Sequence, residues 1–330
     1  MRQYRHYKVC VSLVTGSNAR SGGIWDNAWR PAQCHLSGLA GRVRGSVPDG
    51  CAGSLTGAVF IFGLTIFGLI TVGIAMTLKH QLNILGSVAA STLAGWRGGA
   101  AGKPHFRQPA QRPVLYDIEA SPYCRLVREA ASALHLDLDI RPCPKGGTRF
   151  RPEAERLGGK LQFPLLSDPN TGTVLHESAD IVEYLFRTYA GRATPSAYRA
   201  GALRKAGGYL ATISRGLRGL KATPAQVPAQ PLRLWSFEAS PYSRPVRERL
   251  CELELPYALH NLGKEHWTEI GPAVQRLKPG PYRPIAGGKR EAFMQVHGCV
   301  QVPYLEDPNT GAALFESADI LDYLERTYAR

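Results

Sequence analysis

The segment of this chain that is best suited to chemistry occurs twice. Glu119-Ala-Ser-Pro-Tyr123 recurs as Glu238-Ala-Ser-Pro-Tyr242, and each copy follows a short apolar run and precedes a helical pattern. Ser121 and Ser240 are therefore predicted at a strand-to-helix turn, where free backbone N–H groups hold an anion or lower the pKa of a thiol. Cys124, on the first turn of the same helix, is the candidate nucleophile, and Ser121 is the candidate catalytic hydroxyl. Helix capping by serine and proline is the alternative that needs no ligand.

A second recurring pair supplies a carboxylate and a hydroxyl. Glu177-Ser178 recurs as Glu316-Ser317, and each pair is followed by Ala-Asp-Ile at the start of a predicted helix. A serine and the free N–H groups at a helix N-terminus can bind a carboxylate, and a glutamate can accept a hydrogen bond from an amine. Because capping requires the serine but not the glutamate, the pair predicts a site for a ligand that carries both groups.

These motifs are parts of a long internal repeat. The first motif recurs after 119 residues, whereas Glu177 and the segment Asp168-Pro-Asn-Thr-Gly172 recur after 139. A repeat of about 80–100 residues is a duplicated domain, since solenoid units are roughly 20–50 residues long. The second copy therefore contains twenty additional residues, which we place between Thr268 and Gln295.

Each copy predicts the element order βαβαββα. In the first copy Pro113–Ile118 is of strand type, a helical stripe follows to Leu134, and Leu136–Arg141 predicts a second strand. A helix is predicted at Pro152–Leu157, and Asp168-Pro-Asn-Thr-Gly172 has the turn residues of a β-hairpin. The fold class is α/β, with a mixed sheet flanked by helices.

Positive charge is concentrated outside the two domains. The net charge is +14, but residues 1–112 carry 12 basic and 2 acidic side chains, and 191–231 carry 7 basic and no acidic ones. The domains are close to neutral, so no nucleic-acid binding is expected. Basic leaders are typical of peripheral contact with an anionic membrane surface. The predicted organisation is an unstructured or hydrophobic extension over 1–75, a basic leader helix and linker over 76–112, a domain over 113–190, a basic helix and Pro-rich linker over 191–231, and a domain over 232–330.

The N-terminal region allows two interpretations. In the first, the segment from Leu55 to Leu78, which contains no charged residue over 24 positions, is long enough to span a bilayer and would anchor the protein. Alternatively the start is misassigned and the protein begins near Met76, because leader helices predicted at Leu82–Trp96 and Tyr209–Leu220 then precede the two domains in the same way. We expect the second, and a cytoplasmic protein held at most peripherally at a membrane.

The seven cysteines form no CxxC pair, which fits a reducing compartment and predicts no metal site.

Together the motifs resemble the glutaredoxin-like N-terminal domain of glutathione S-transferases. The resemblance implies two tandem thioredoxin-like βαβαββα domains, each preceded by a basic helical leader, and glutathione as ligand or cosubstrate. It also implies a cis peptide bond before the proline that precedes each hairpin, and a contact between Ser121 or Ser240 and the ligand's thiol. The implied glutathione-binding residues are Phe163, Pro164, Glu177, Ser178, Ser240, Val302, Pro303, Glu316 and Ser317.

Two departures from the family pattern limit the activity that it implies. Glutaredoxins have a cysteine where this chain has Ser121, and the second copy has Ser243 in place of Cys124. The stretch 191–231 is too short for the helical domain on which a transferase binds its electrophile. Three functions stay open: a glutathione-binding protein with weak or no transferase or thiol-transfer activity, a non-catalytic scaffold attached to a membrane surface by its basic leaders, and a monothiol oxidoreductase that uses Cys124, with Cys143 as the next candidate. Retention of the Glu-Ser pair in both copies favours the first. Pairing of the two domains within the chain also stays open.

Overall fold

The structure is a computed structural model that describes residues 78–100, 108–266, 269 and 282–330. All of these residues belong to one compact unit, which covers 60–330. The extension over 1–75, the apolar run up to residue 77 and the expected start at Met76 lie outside the described residues. In the described part of the chain, no helix combines the length and the apolar composition that crossing a membrane requires.

Both repeats fold in the predicted element order. The strands are β1 (Val114–Asp117), β2 (Leu138–Pro142), β3 (Leu165–Asp168), β4 (Thr173–Leu175), β5 (Leu232–Ser236), β6 (Tyr257–Asn261), β7 (Tyr304–Asp307) and β8 (Ala312–Leu314). The helices are α1 (78–93), α2 (Pro122–Ala133), α3 (Arg151–Gly158), α4 (Ser178–Ala190), α5 (Ala202–Ser214), α6 (Ser243–Glu252), α7 (Lys289–His297) and α8 (Ser317–Tyr328). The predicted α/β fold class and βαβαββα order are thus confirmed.

The eight strands form one mixed sheet with the order β4-β3-β1-β2-β6-β5-β7-β8. Within each repeat the first two strands are parallel, and the other neighbouring strands are antiparallel. The repeats meet where β2 pairs antiparallel with β6, which places Leu138 opposite Leu259 and Ile140 opposite Tyr257. Buried side chains of both repeats belong to one apolar cluster, so the core continues across this junction.

The first helix of each repeat begins directly after the recurring serine. Ser121 is the N-cap of α2, and its hydroxyl accepts a hydrogen bond from the Cys124 N–H at 3.4 Å. Pro122 occupies the first turn, where its missing N–H costs nothing. The capping role that the sequence allows for Ser121 is therefore present. In the second copy the Ser240 hydroxyl accepts from the Ser243 N–H at 3.2 Å.

The recurring Asp-Pro-Asn-Thr-Gly segment joins β3 to β4 as the predicted hairpin. Its first residue does more than turn the chain: the Asp168 carboxylate accepts hydrogen bonds from the hydroxyls of Tyr184 and Tyr189 on α4. Burial raises the pKa of Asp168, but these hydrogen bonds outweigh burial and hold the pKa below its usual value. Asp307 makes the same pair of contacts with α8. The segment thus fixes the last helix on the sheet in both repeats.

The additional residues of the second copy lie nearer the N-terminus than the sequence predicts. Lys145 and Lys264 still differ by 119 residues, and each forms a β-bridge with a leader segment. Gly159 and Gly298, which end α3 and α7 in the left-handed conformation, already differ by 139. The insertion therefore lies between Lys264 and α7, and the predicted range wrongly included most of α7.

The two leader helices also begin earlier than predicted. They cover 78–93 and Ala202–Ser214, where the sequence predicted 82–96 and 209–220. They end early because left-handed residues follow each of them, at Gly95 and Trp96 and again at Gly216 and Leu217. Each helix packs on a domain other than the one it precedes: the Ser91 hydroxyl of α1 donates to Ala239 O at 3.0 Å, and the Thr212 hydroxyl of α5 donates to Ala120 O at 2.7 Å.

Candidate functional site

Three predicted site segments of the first repeat meet at one end of its sheet. Because β1 and β3 are antiparallel, the turn that carries Ser121 after β1 lies at the same end as Phe163-Pro164 before β3. Strand β4 is antiparallel to β3, with Leu175 opposite Leu166, so Glu177-Ser178 after β4 also lies there. The second repeat has the same strand order and directions. The sheet therefore gathers the residues that the resemblance singles out.

The proline before each hairpin adopts the implied geometry. The peptide bonds Phe163–Pro164 and Val302–Pro303 are both cis. Phe163 and Val302 are partly exposed, whereas the prolines are buried. The guanidinium of Arg151, on α3, lies 5.1 Å from the centre of the Phe163 ring. Each X–Pro unit thus presents the preceding residue at the end of the sheet where the other site segments lie.

Glu177 has the most unusual backbone of these residues. Its φ is 64° and its ψ is 118°, and its side chain is exposed directly before the buried Ser178 at the start of α4. The Gln162 amide donates a hydrogen bond to the Glu177 carboxylate. The His176 ring lies 3.1 Å from Gln162 O and 3.0 Å from Gly158 O, which ties this segment to the end of α3. The carboxylate is therefore held in place beside a helix N-terminus.

The second copy of this pair is arranged differently. Glu316 has an ordinary extended backbone, with φ −76° and ψ 132°, although the Gln301 amide still donates to its carboxylate at 2.6 Å. The Ser317 hydroxyl is 3.2 Å from Nε2 of His80, a residue of α1. Burial lowers the pKa of His80, which outweighs the opposite effect of Glu316 nearby. A neutral imidazole from the leader helix is thus within hydrogen-bond distance of the Ser317 hydroxyl of the second site.

Among the described residues, the first site has no equivalent of this histidine. Ser91 and Thr212 make matching contacts and differ by 121 residues, and the same offset takes His80 to Gly201. Gly201 has no side chain, and a Cβ added there would meet no other atom within 4 Å. Over the first repeat, the position at Gly201 before α5 is therefore open. Over the second repeat, His80 of α1 fills the equivalent position.

Cys124 lies in an environment that disfavours a thiolate. Its side chain is fully buried, and its Sγ accepts a hydrogen bond from the Ile118 N–H at 3.5 Å. Burial and the nearby Asp117 carboxylate raise the thiol's pKa well above its usual value, despite the opposite effect of Arg128. Burial raises the pKa of Cys143 as well. Reactive cysteines are usually accessible and have a lowered pKa, so the environment of both thiols weighs against nucleophilic roles.

The glutamate of the first recurring motif has a structural partner that the sequence analysis missed. Glu119 lies 3.1 Å from Arg247 of α6, and Glu238 lies 2.9 Å from Arg128 of α2. All four side chains are at most 2% exposed, and each pair joins one repeat to the other. Arg128 and Arg247 differ by 119 residues, as the two glutamates do, and this shared offset was the signal in the sequence that could have indicated the ion pairs. Each of these glutamates is two residues before the serine of its site.

Helix α5 packs over the turn of the first site. Besides the bond from Thr212, the Tyr209 hydroxyl of α5 donates to the Tyr123 hydroxyl at 3.0 Å. A Cβ added at Gly208 would lie 3.0 Å from the Pro122 side chain, so the helix approaches the turn closely. The stretch after the first domain thus packs against the helix that would carry the chemistry. Among the described residues, no group of His, Cys, Asp and Glu could hold a metal ion.

Comparison with known proteins supports this view of the two repeats. A family model described as "Glutathione S-transferase, N-terminal domain" matches residues 115–193 and 234–330, which together make up more than half of the chain. The two matched ranges correspond to the two βαβαββα repeats of the sheet. A search of curated proteins gave no match.

Proposed function

The chain belongs to the glutathione S-transferase N-terminal domain family, and we propose that its first domain binds glutathione with little or no transferase or thiol-transfer activity. In this proposal Ser178 and the N-terminus of α4 bind the γ-glutamyl carboxylate, and Glu177 accepts a hydrogen bond from the γ-glutamyl amine. The backbone of Phe163 contacts the cysteinyl part, and Ser121 lies next to the thiol.

The backbone of Glu177 carries this proposal. A non-glycine residue outside the common backbone regions costs of the order of 1–3 kcal/mol, and such residues cluster at functional sites. Capping does not require this conformation, since Glu316 begins the equivalent helix with an ordinary backbone. The chain therefore maintains a strained residue whose visible effect is to hold a carboxylate beside the N-terminus of α4.

The two copies support different roles. His80 occupies the Ser317 hydroxyl of the second site, and the space at the equivalent Gly201 is open over the first. A ligand carboxylate at the second site would have to displace the His80 imidazole from Ser317. We therefore expect one molecule of glutathione per chain, bound at Glu177.

The chemistry of the turn supports weak activity at most. A glutaredoxin exchanges disulfides through a cysteine thiolate, and Ser121, the residue that faces the ligand's thiol in this proposal, supplies only a hydroxyl. Cys124 is fully buried with a raised pKa, which supports a packing role over thiol exchange. Helix α5 packs against this turn, with the Thr212 hydroxyl bound to Ala120 O.

Calorimetry of the full chain with reduced glutathione tests the proposal, and the duplication supplies its own control. Glu177→Ala is expected to weaken binding by about 1–3 kcal/mol, the usual cost of losing a charge-assisted hydrogen bond. Glu316→Ala removes the same side chain from the equivalent helix and is expected to leave the affinity unchanged. Equal affinity of both variants and the unmodified protein would show that glutathione is not bound at the Glu-Ser pairs.

A further inference from the structure

Most of the described large apolar side chains of helices α1 and α5 face solvent. More than half of the exposed large apolar residues in the described part of the chain lie on these two helices and the turns after them. Leu82 and Leu85 of α1 are 60% and 62% exposed, and Ile213 of α5 is 65% exposed. We call this exposed side of α1 and α5, together with Trp96 and Leu217 in the following turns, the leader face.

Apart from the buried Ile84, the described residues of these helices that face the protein are mostly small or polar. Ala90 and Ala94 of α1 pack with Ala211 of α5 in a cluster of their own. The helices approach so closely that a Cβ added at Gly207 would lie 2.7 Å from Leu93 O. A helix on the surface of a soluble domain usually buries its apolar stripe. Amphipathic helices that lie in a membrane interface instead present their apolar side outward from the protein.

The two helices form one continuous surface. They run antiparallel, because Leu93 at the end of α1 lies near Gly207 in the middle of α5, whereas Gly86 in the middle of α1 lies near Ser214 at the end of α5. At the other end, Leu78 and Leu82 border an open groove whose far wall includes Ser214 and Arg218. The apolar residues of the two helices can therefore contact a single partner.

The turns after the two helices share a sequence pattern and a backbone conformation. Gly95-Trp-Arg-Gly98 and Gly216-Leu-Arg-Gly219 occupy equivalent positions, and the second residue of each has positive φ, 53° at Trp96 and 58° at Leu217. A bulky residue in this region is a backbone outlier. Both side chains are nevertheless about half exposed. Both repeats thus hold an apolar side chain outward, next to an arginine, at a cost in backbone strain.

Charge identifies the partner. Residues 78–100 and 191–231 contain no acidic side chain, and Lys79, Lys205 and Arg218 are exposed on or beside the leader face. Contact with a second copy through this face would bring two cationic surfaces together. Exposed leucines bordered by lysine and arginine instead complement an anionic bilayer surface, which supplies both apolar chains and negative headgroups. We propose that the leader face binds the surface of an anionic lipid membrane.

Flotation of the full chain with vesicles measures this binding. Vesicles of phosphatidylcholine and phosphatidylglycerol are compared with vesicles of phosphatidylcholine alone. The triple variant Leu82→Ser, Leu85→Ser, Ile213→Ser is expected to lose about tenfold or more in affinity for the anionic vesicles, since three large apolar side chains then no longer leave water on binding. The control variant Val227→Ser, Val296→Ser alters valines that are 71% and 77% exposed elsewhere on the molecule and is expected to bind normally.

A charge variant keeps the test decisive if the serine variant does not fold. Lys79→Glu with Lys205→Glu is expected to weaken binding to anionic vesicles by at least about fivefold for each lysine, and high salt is expected to weaken it further. Flotation of the folded serine variant like the unmodified protein would overturn the proposal and assign membrane binding to another part of the chain, such as the apolar run at 55–78. A dimer in light scattering that the serine variant lacks would overturn it in favour of a second copy.

Discussion

Replacing Glu238 by glutamine tests the ion pairs that join the two repeats. Its carboxylate is 1% exposed and lies 2.9 Å from Arg128 Nε and 3.1 Å from Arg247 Nη2. Glu238→Gln keeps the shape of the side chain but leaves two arginines, one from each repeat, buried with one negative charge fewer. Breaking a buried ion pair by removing one partner costs about 3–5 kcal/mol. At about 2–4 °C per kcal/mol for a unit of this size, the melting temperature is expected to fall by about 10 °C.

Thermal and urea denaturation followed by circular dichroism measure this loss, with Glu325→Gln as the matched control. Glu325 also forms an ion pair, 2.7 Å from Arg249, but it is 52% exposed, and exposed pairs contribute about 0–1 kcal/mol. A free energy of unfolding for Glu238→Gln within about 1 kcal/mol of the unmodified protein would refute the reasoning. It would mean that the arginines are not buried against this carboxylate in solution.

The ion pairs of Glu238 also predict how the stability difference between the unmodified protein and Glu238→Gln depends on pH. Burial alone would raise the pKa of Glu238, but Arg128 and Arg247 outweigh burial and hold the pKa below its unfolded value of about 4.3. A carboxylate with a depressed folded pKa stabilises the protein above its unfolded pKa and loses that contribution as the pH falls. The stability difference between the unmodified protein and Glu238→Gln is therefore expected to be constant near neutrality and to shrink below about pH 4. Titrating groups that are distant from Glu238 and its arginines contribute equally in both proteins and cancel in the comparison.

Two further predictions concern the candidate sites. His80→Gly is expected to expose the Ser317 hydroxyl and to raise the glutathione stoichiometry from one to two per chain in calorimetry. Gly201→His is expected to weaken glutathione binding at the first site. Unchanged binding in both variants would contradict the blocking role of His80. Cys124 is expected to react with a soluble maleimide only when the protein unfolds, whereas the exposed Cys299 reacts in the native state, as mass spectrometry of labelled peptides can show. Rapid native labelling of Cys124 would revive the oxidoreductase alternative.

The fold of each repeat could be predicted because its signals are local. Ser121-Pro122 has the residues of a helix start, and Asp168-Pro-Asn-Thr-Gly172 has those of a hairpin, whatever the rest of the chain does. Both were confirmed. The duplication strengthened these predictions, since each local signal occurs twice in the same order. The gathering of the site segments then follows from strand direction alone.

The contacts between the repeats could not be predicted in the same way. Pairing of β2 with β6 and the exchange of leader helices depend on which surfaces meet, and the repeat unit alone suggests that each leader packs on its own domain. The sequence also gave no reason to separate Glu177 from Glu316, which belong to the same motif. Their difference arises from a residue outside both domains, because His80 reaches Ser317 only after α1 has packed on the second repeat.

This exchange of helices connects the two proposals physically. Helix α1 contributes leucines to the leader face on one side and His80 to the second site at its N-terminal end. Helix α5 contributes Ile213 to the same face and covers the turn of the first site through Thr212. A partner that binds the leader face therefore contacts the elements that limit access to both sites. Any movement of α1 on a membrane would change the second site first, because the histidine that occupies it belongs to that helix.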